Sequence, residues 1–156
     1  YKSAPLHDIG KIAVPDYILK KPGKLTAEEQ VEMQKHTIYG GDALKIAEKR
    51  SGSSSFLRFA REIAYSHQEK WDGSGYPEGL KGEQIPVSAR LMALADVYDA
   101  LVNKRVYKPA FSHQEAVDYI TQEKGKHFDP DMVDAFVQIE AEFAHITQLC
   151  NKGLAD

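Results

Sequence analysis

The chain has very little cysteine, no long apolar run and no strong excess of charge of either sign. Cys150 is the single cysteine among 156 residues, which excludes an internal disulfide and favours a reducing cytoplasm. No apolar run approaches the roughly 20 residues of a spanning helix, so no membrane segment is predicted. The net charge of −3 gives no general attraction to a DNA or RNA duplex.

What the chain does have is helical periodicity, which predicts an all-α fold. A capping box of Thr26 and Glu29 begins a helix that should run to about residue 50, with a kink or junction at Gly40-Gly41. The other helices are predicted over about 56–68, 87–104, 112–124 and 130–149. The length suits one domain over 1–156. The candidate metal ligand His7 is only the seventh residue, and a metal site usually gathers ligands from several elements. We therefore expect this domain to be part of a longer polypeptide.

A stretch rich in glycine and proline separates two of these predicted helices. Between residues 70 and 86 it contains Gly73, Gly75, Pro77, Gly79, Gly82 and Pro86. Long loops inside compact domains are disproportionately functional. The stretch is therefore a candidate part of a binding or catalytic site.

The adjacent pair His7-Asp8 is the strongest candidate for metal binding. It offers one nitrogen and two carboxylate oxygens, and such a carboxylate can bridge two ions. His36 and His67 lie near predicted helix ends, and Asp96 lies in an apolar helical segment where an unpaired carboxylate would be costly. A lone histidine is more often structural, and stacked carboxylates are more often solvated, so the case depends on the whole set. Its mixed nitrogen and oxygen ligands favour iron or manganese, with nickel, cobalt or zinc as alternatives.

Basic residues near these ligands are candidates for holding phosphate. Lys11 follows the His-Asp pair by three residues, and a turn there would place its ammonium beside the metals. Arg105 and Lys108 flank Tyr107, and basic residues around an aromatic ring can bind phosphate and stack on a base. Solvated surface lysines and arginines are the alternative.

Four segments, in the same order along the chain, resemble the signature blocks of one family. The family is the HD-GYP domain, a bacterial subgroup of the HD metal-dependent phosphohydrolases. The segments are LHDIGKIAVPDYILKKPGKLT, SHQEKWDGSGYPEGLKGEQIP, ARLMALADVYDALVNKRVYKPAF and GKHFDPDMVDAF. The resemblance covers residues 4 to about 138. It implies a helical HD-domain bundle with a long glycine-rich GYP loop.

The resemblance also implies an activity. Family members are cytoplasmic phosphodiesterases of bacterial second-messenger signalling. They hydrolyse cyclic di-GMP, or in some members 3′,3′-cyclic GMP–AMP, to a linear dinucleotide or mononucleotides at a centre of two or three divalent ions. The residues that match family metal ligands are His7, Asp8, His36, His67 and Asp96.

The remaining matched residues concern the substrate and a partner. Lys11 matches the lysine near the scissile phosphate and joins Asp8 as a catalytic candidate. Arg105 and Lys108 match residues that contact the nucleotide. Tyr76 belongs to the namesake triplet Gly-Tyr-Pro, is assigned to substrate binding, and lies in the loop implicated in contacts with diguanylate cyclases.

Two departures from the family pattern leave a second interpretation open. Gln68 stands where the family commonly has a second consecutive histidine, and its neutral oxygen is a weak ligand, so the pattern supports two ions and leaves a third in doubt. The family also has a ligand-bearing helix before the His-Asp pair, which we expect upstream of this chain. The alternative is a degenerate module that binds a dinucleotide or a protein without hydrolysis. A hydrolase of nucleoside phosphates is a weaker possibility, since it leaves the glycine-rich loop unexplained.

Overall fold

The computed structural model describes residues 2–51, 55–103 and 110–153, and they are mostly helical. Their α-helices are α1 Asp16–Leu19, α2 Ala27–Gln34, α3 His36–Ser51, α4 Ser55–Ser66, α5 Val87–Val102, α6 His113–Gln122, α7 Pro130–Gln138 and α8 Glu140–Gly153. Short 3-10 helices cover Ala4–Leu6, Ile9–Ala13 and Gly82–Gln84. These residues contain no strand, only an isolated bridge between Lys124 and Phe128. The predicted all-α class is confirmed.

The chain divides into two compact units, Tyr1–Met92 and Ala93–Asp156. Helix α5 begins in the first unit and ends in the second. The single-domain organisation over 1–156 stays a prediction. Throughout the ranges given above, no helix is long and apolar enough to cross a membrane.

In the first unit, α3 packs closely on α4. The core between them consists of small and branched apolar side chains, namely Leu44, Ala60 and Ala64 with the half-buried Leu6 and Leu57. Gly41 makes this approach possible, because a Cβ at that position would overlap the ring of Tyr65. The predicted junction at Gly40-Gly41 is therefore wrong, because α3 continues through both glycines. Both are buried there and allow close packing.

The helix is interrupted instead at Lys35, between α2 and α3. The capping box of Thr26 and Glu29 is present at the start of α2, as predicted. At its end, His36 Nδ1 lies 2.8 Å from the Met33 carbonyl oxygen, and Thr37 Oγ1 donates to the Gln34 carbonyl at 3.0 Å. Because these side chains take up the last carbonyls of α2, they compete with a continuous main-chain ladder. His36 thus begins a helix, where the sequence had placed it near the end of one.

In the second unit, α5, α6, α7 and α8 surround an aromatic core. Its buried members are Leu94, Tyr98, Ala116, Val117, Ile120, Phe128, Val133 and Phe136. The Tyr98 hydroxyl lies 2.9 Å from His113 Nδ1, and His113 Nε2 contacts Glu140. These contacts join α5, α6 and α8.

The predicted single helix over 130–149 is wrong, because the chain turns at Ile139. The Ile139 N–H donates to the Phe136 carbonyl at 3.0 Å, and the Glu142 N–H donates to the Ile139 carbonyl at 2.9 Å. These tighter bonds, each to a carbonyl three residues back, end α7 and start α8. The turn brings Phe143 edge-on to Phe136, with ring centroids 5.0 Å apart.

Candidate metal centre

The His-Asp pair lies at the junction of two 3-10 helices. His7 ends the first and its N–H donates to the Ala4 carbonyl, while Asp8 precedes the second, Ile9–Ala13. In a junction, unlike a regular strand, two adjacent side chains can turn towards one point. His7 Nε2 lies 3.2 Å from Asp8 Oδ2 as a result.

Gly10 brings this junction against the start of α3. A Cβ at Gly10 would overlap the His36 carbonyl oxygen and the Gly40 nitrogen, so only glycine fits. The backbone of the second 3-10 helix therefore lies directly on α3. This contact places Asp8 beside His36.

Three side chains that are distant in sequence converge on one point. Asp8 Oδ1 lies 3.4 Å from His36 Nε2 and 3.7 Å from His67 Nε2, and the two Nε2 atoms are 3.4 Å apart. All three ligand atoms lie within 4.8 Å of one another. His36 and His67 are each 2% exposed and Asp8 is half-buried. This is the spacing of atoms that share one metal ion.

The main chain fixes which nitrogen each histidine turns towards the centre. Each histidine places Nδ1 within hydrogen-bond distance of a main-chain carbonyl oxygen. The pairs are His7 with Ala4 at 2.8 Å, His36 with Met33 at 2.8 Å and His67 with Ile63 at 3.0 Å. A carbonyl oxygen only accepts hydrogen bonds, so each Nδ1 carries a proton. In the neutral ring, Nε2 then holds the lone pair that a metal requires.

The electrostatics of the cluster fit a bound cation. Burial opposes the charged form of Asp8, but the hydrogen bonds around its carboxylate and above all the positive charge of the Lys11 ammonium at Oδ2 outweigh it. They hold the pKa of this carboxyl well below its usual range. Burial lowers the pKa of His36 and so keeps its ring neutral.

One atom at the centre is left without a partner. Asp8 Oδ1 is buried and has no hydrogen-bond partner among the described residues. A buried carboxylate oxygen that faces two imidazole nitrogens without a hydrogen bond from either is unfavourable unless a positive charge lies between them. The residues present therefore fit a divalent ion.

Lys11 lies at the edge of this centre. Its ammonium bonds Asp8 Oδ2, the oxygen that His7 also approaches, while Oδ1 faces the other two histidines. The Lys11 side chain is 41% exposed. It can therefore reach both the centre and an incoming ligand.

The glycine-rich loop folds back on the segment that follows His67. The Tyr76 N–H donates to the Gln68 carbonyl at 3.1 Å, and a Cβ at Gly75 would overlap the backbone of residues 68–70. The Tyr76 ring lies edge-on to His36, with centroids 6.4 Å apart. The loop thus brings Tyr76 next to a candidate ligand.

Sequence reasoning missed two residues that shape this site. Gly10 is one, and Glu69 is the other: Glu69 is 2% exposed and accepts two N–H groups of the loop. Burial raises the pKa of Glu69, although these N–H groups favour its charged form. A signal for Glu69 was present, since a tight glycine-rich loop leaves backbone N–H groups that need an acceptor.

The other predicted site residues are placed as follows. Asp96 is half-buried on α5 in the second unit, and its role as a ligand stays a prediction. Arg105 and Lys108 lie outside the described residues. The structure thus brings together His7, Asp8, Lys11, His36, His67 and Tyr76 within the first unit.

Comparison with known proteins identifies the family. A sequence model of the HD domain family matches residues 1–132. The chain belongs to the HD domain family.

The HD domain is similar to several bacterial proteins. A cyclic di-GMP phosphodiesterase of Vibrio cholerae is 60% identical over 94% of this chain and 30% of the relative. The 3′3′-cGAMP-specific phosphodiesterase 2 of that species is 46% identical over 92% of this chain and 27% of the relative. A cyclic di-GMP phosphodiesterase response regulator of Xanthomonas campestris is 44% identical over 96% of this chain and 38% of the relative. The chain thus spans about a third of the length of these relatives.

A solved structure shares the fold. A crystal structure of a cyclic GMP-AMP-specific phosphodiesterase of V. cholerae matches with a TM-score of 0.56 and 21% sequence identity. The match covers 86% of this HD domain and 36% of that chain. It supports the helical fold.

Proposed function

We propose that this HD domain is a metal-dependent phosphodiesterase of the HD-GYP subgroup that hydrolyses a cyclic dinucleotide. The substrate is cyclic di-GMP or 3′,3′-cyclic GMP–AMP, and the product is a linear dinucleotide or mononucleotides. One observation carries the proposal. Asp8, His36 and His67 converge on one point, and Oδ1 of Asp8, which lies there, has no hydrogen-bond partner in the described residues. The names of the relatives supply the substrate class. The setting we propose is bacterial signalling in the cytoplasm.

The proposed cofactor is a pair of divalent ions, iron or manganese, with nickel, cobalt or zinc as alternatives. Asp8, His36 and His67 would hold the first ion, and His7 and the second oxygen of Asp8 are proposed for the other. Asp96 is proposed as a further ligand from its sequence match alone. Such ions lower the pKa of a bound water and stabilise charge on a phosphate.

The remaining roles concern the substrate and partners. Tyr76 is proposed to contact the dinucleotide, because the loop holds its ring beside His36. Arg105 and Lys108 are proposed for nucleotide binding from their sequence match. Gln68 is proposed to mark a subclass in which two ions suffice, and the GYP loop is proposed to contact diguanylate cyclases.

The protein's own residues prepare the site for this reaction. The three main-chain carbonyls orient the histidines before any ligand arrives, so little reorganisation is needed. Lys11 provides a positive charge beside Asp8 and can pair with a non-bridging phosphate oxygen as negative charge develops there.

We expect Lys11→Met to slow hydrolysis about a hundred-fold while the ions stay bound, because it removes the phosphate-facing charge and leaves every proposed ligand. Steady-state kinetics and elemental analysis measure the two effects. Lys20→Met is the matched control, since Lys20 pairs with Asp16 at an exposed site. Equal rates for Lys11→Met and the unaltered protein would contradict this role.

The proposed function is tested with purified protein loaded with Mn²⁺ or, without oxygen, Fe²⁺. Both cyclic dinucleotides are supplied and the products are separated by chromatography. We expect a linear dinucleotide or mononucleotides with at least one substrate, and about two ions per chain. Failure to hydrolyse either substrate at full metal loading would contradict the proposal and favour a module that only binds.

A further inference from the structure

Glu69 lies inside the glycine-rich loop and holds two parts of it together. Its side chain is 2% exposed. Oε1 accepts the Glu78 N–H at 2.8 Å and Oε2 accepts the Leu80 N–H at 3.0 Å. Each oxygen of one buried carboxylate is thus bonded to the part of the loop that returns after the Gly-Tyr-Pro triplet.

Further contacts close the loop on both sides of Glu69. The Tyr76 N–H donates to the Gln68 carbonyl, and the Gly82 N–H donates to the Trp71 carbonyl at 2.9 Å. Gly75 lies directly on the backbone of residues 68–70. Tyr76 is therefore held between the start of the loop and the segment that Glu69 anchors.

Glu69 does not hold the metal ligand that precedes it. The His67 ring is fixed by the Ile63 carbonyl through Nδ1, and the His67 N–H donates to the same carbonyl at 2.9 Å. Both contacts belong to the end of α4. A change at Glu69 should therefore move Tyr76 and leave His67 in place.

We propose that Glu69 is a positioning residue for substrate: its carboxylate anchors residues 78–80 and thereby keeps Tyr76 beside His36, where it contacts the cyclic dinucleotide. This inference rests on the proposed function. The two N–H groups need two acceptor oxygens. In Glu69→Gln, an amide NH₂ would face one of these N–H donors, and that part of the loop would be released.

The first test compares Glu69→Gln with Glu83→Gln, an exposed glutamate of the same loop region. For Glu69→Gln we expect the KM for cyclic di-GMP to rise about ten-fold, with kcat and Mn²⁺ affinity within about two-fold of the unaltered chain. Trp71, the single tryptophan, reports on the loop itself, and its fluorescence should become easier to quench with acrylamide. Glu83→Gln should change none of these quantities.

The second test asks whether Glu69 acts through Tyr76. Glu69→Gln is combined with Tyr76→Ala in a double-mutant cycle. We expect Glu69→Gln to have no further effect on KM once the Tyr76 ring is absent. A ten-fold rise in KM in both backgrounds would overturn the proposal, as would unchanged Trp71 quenching or a loss of Mn²⁺ affinity.

Two further outcomes are decisive. If Glu69→Gln does not fold by circular dichroism, Glu69→Asp is measured in the same way, and failure of both variants to fold would overturn a positioning role. If the unaltered chain binds cyclic di-GMP without hydrolysis, the proposed function fails and the cycle is scored on the dissociation constant. Absence of both binding and hydrolysis would overturn both proposals.

Discussion

Asp8→Ala is expected to abolish hydrolysis and metal binding while the domain stays folded. The Asp8 carboxylate contacts four side chains of the centre, since Oδ1 faces His36 and His67 and Oδ2 faces His7 and Lys11. Its loss removes the negative charge that a divalent ion needs. We expect kcat/KM to fall by roughly a thousand-fold or more, which corresponds to several kcal/mol less stabilisation of the transition state.

The fold should tolerate this change because the carboxylate does not hold the core together. Asp8 is half-buried and is not a member of the apolar core between α3 and α4, and one of its oxygens lacks a hydrogen-bond partner in the described part of the chain. The unfolding temperature of the metal-free protein should therefore change by less than about 5 °C. Isothermal titration with Mn²⁺ and thermal unfolding give the two readouts. Asp16→Ala, at an exposed carboxylate, is the control. Tight Mn²⁺ binding by Asp8→Ala would refute the assignment.

Gly10→Ala is expected to damage the centre although Gly10 has no side chain to bind metal. The added Cβ would overlap the His36 carbonyl oxygen and the Gly40 nitrogen, and both are backbone atoms that cannot rotate away. The second 3-10 helix and α3 must then separate, which moves Asp8 away from His36. We expect a 10- to 100-fold loss of Mn²⁺ affinity and about 2 kcal/mol of destabilisation.

Denaturant unfolding and Mn²⁺ titration measure both effects of Gly10→Ala. Gly153→Ala is a suitable control, because a Cβ there meets no heavy atom within 4 Å. Normal Mn²⁺ affinity in Gly10→Ala would show that contact between the two helices does not set the ligand geometry.

Features that depend on neighbouring residues were predictable from the sequence. Thr26 with Glu29 forms the predicted capping box, and Ser112 with Glu115 forms a second one at the start of α6. The helical class follows from the same local patterns. For the metal centre, the sequence indicated His7, Asp8, His36 and His67 through the family motif, and the structure brings these four together.

Features that depend on packing were not predictable in this way. Gly40-Gly41 looks like a helix break in sequence, but the glycines serve the approach of Tyr65 and Gly10 to α3. The turn at Ile139 brings Phe143 against Phe136, and no local apolar pattern marks its position. Glu69 resembles a surface glutamate until the loop closes around it.

The placement of the three converging ligands also bears on the order of events during folding. His36 and His67 are 31 residues apart: His36 begins α3, His67 directly follows α4, and Asp8 lies between the first two 3-10 helices. An unfolded chain therefore offers an ion no preformed cluster, and the ligands meet only once α3, α4 and the second 3-10 helix have docked. Metal uptake should follow the folding of the first unit and stabilise it by mass action, so that bound metal marks correctly folded molecules.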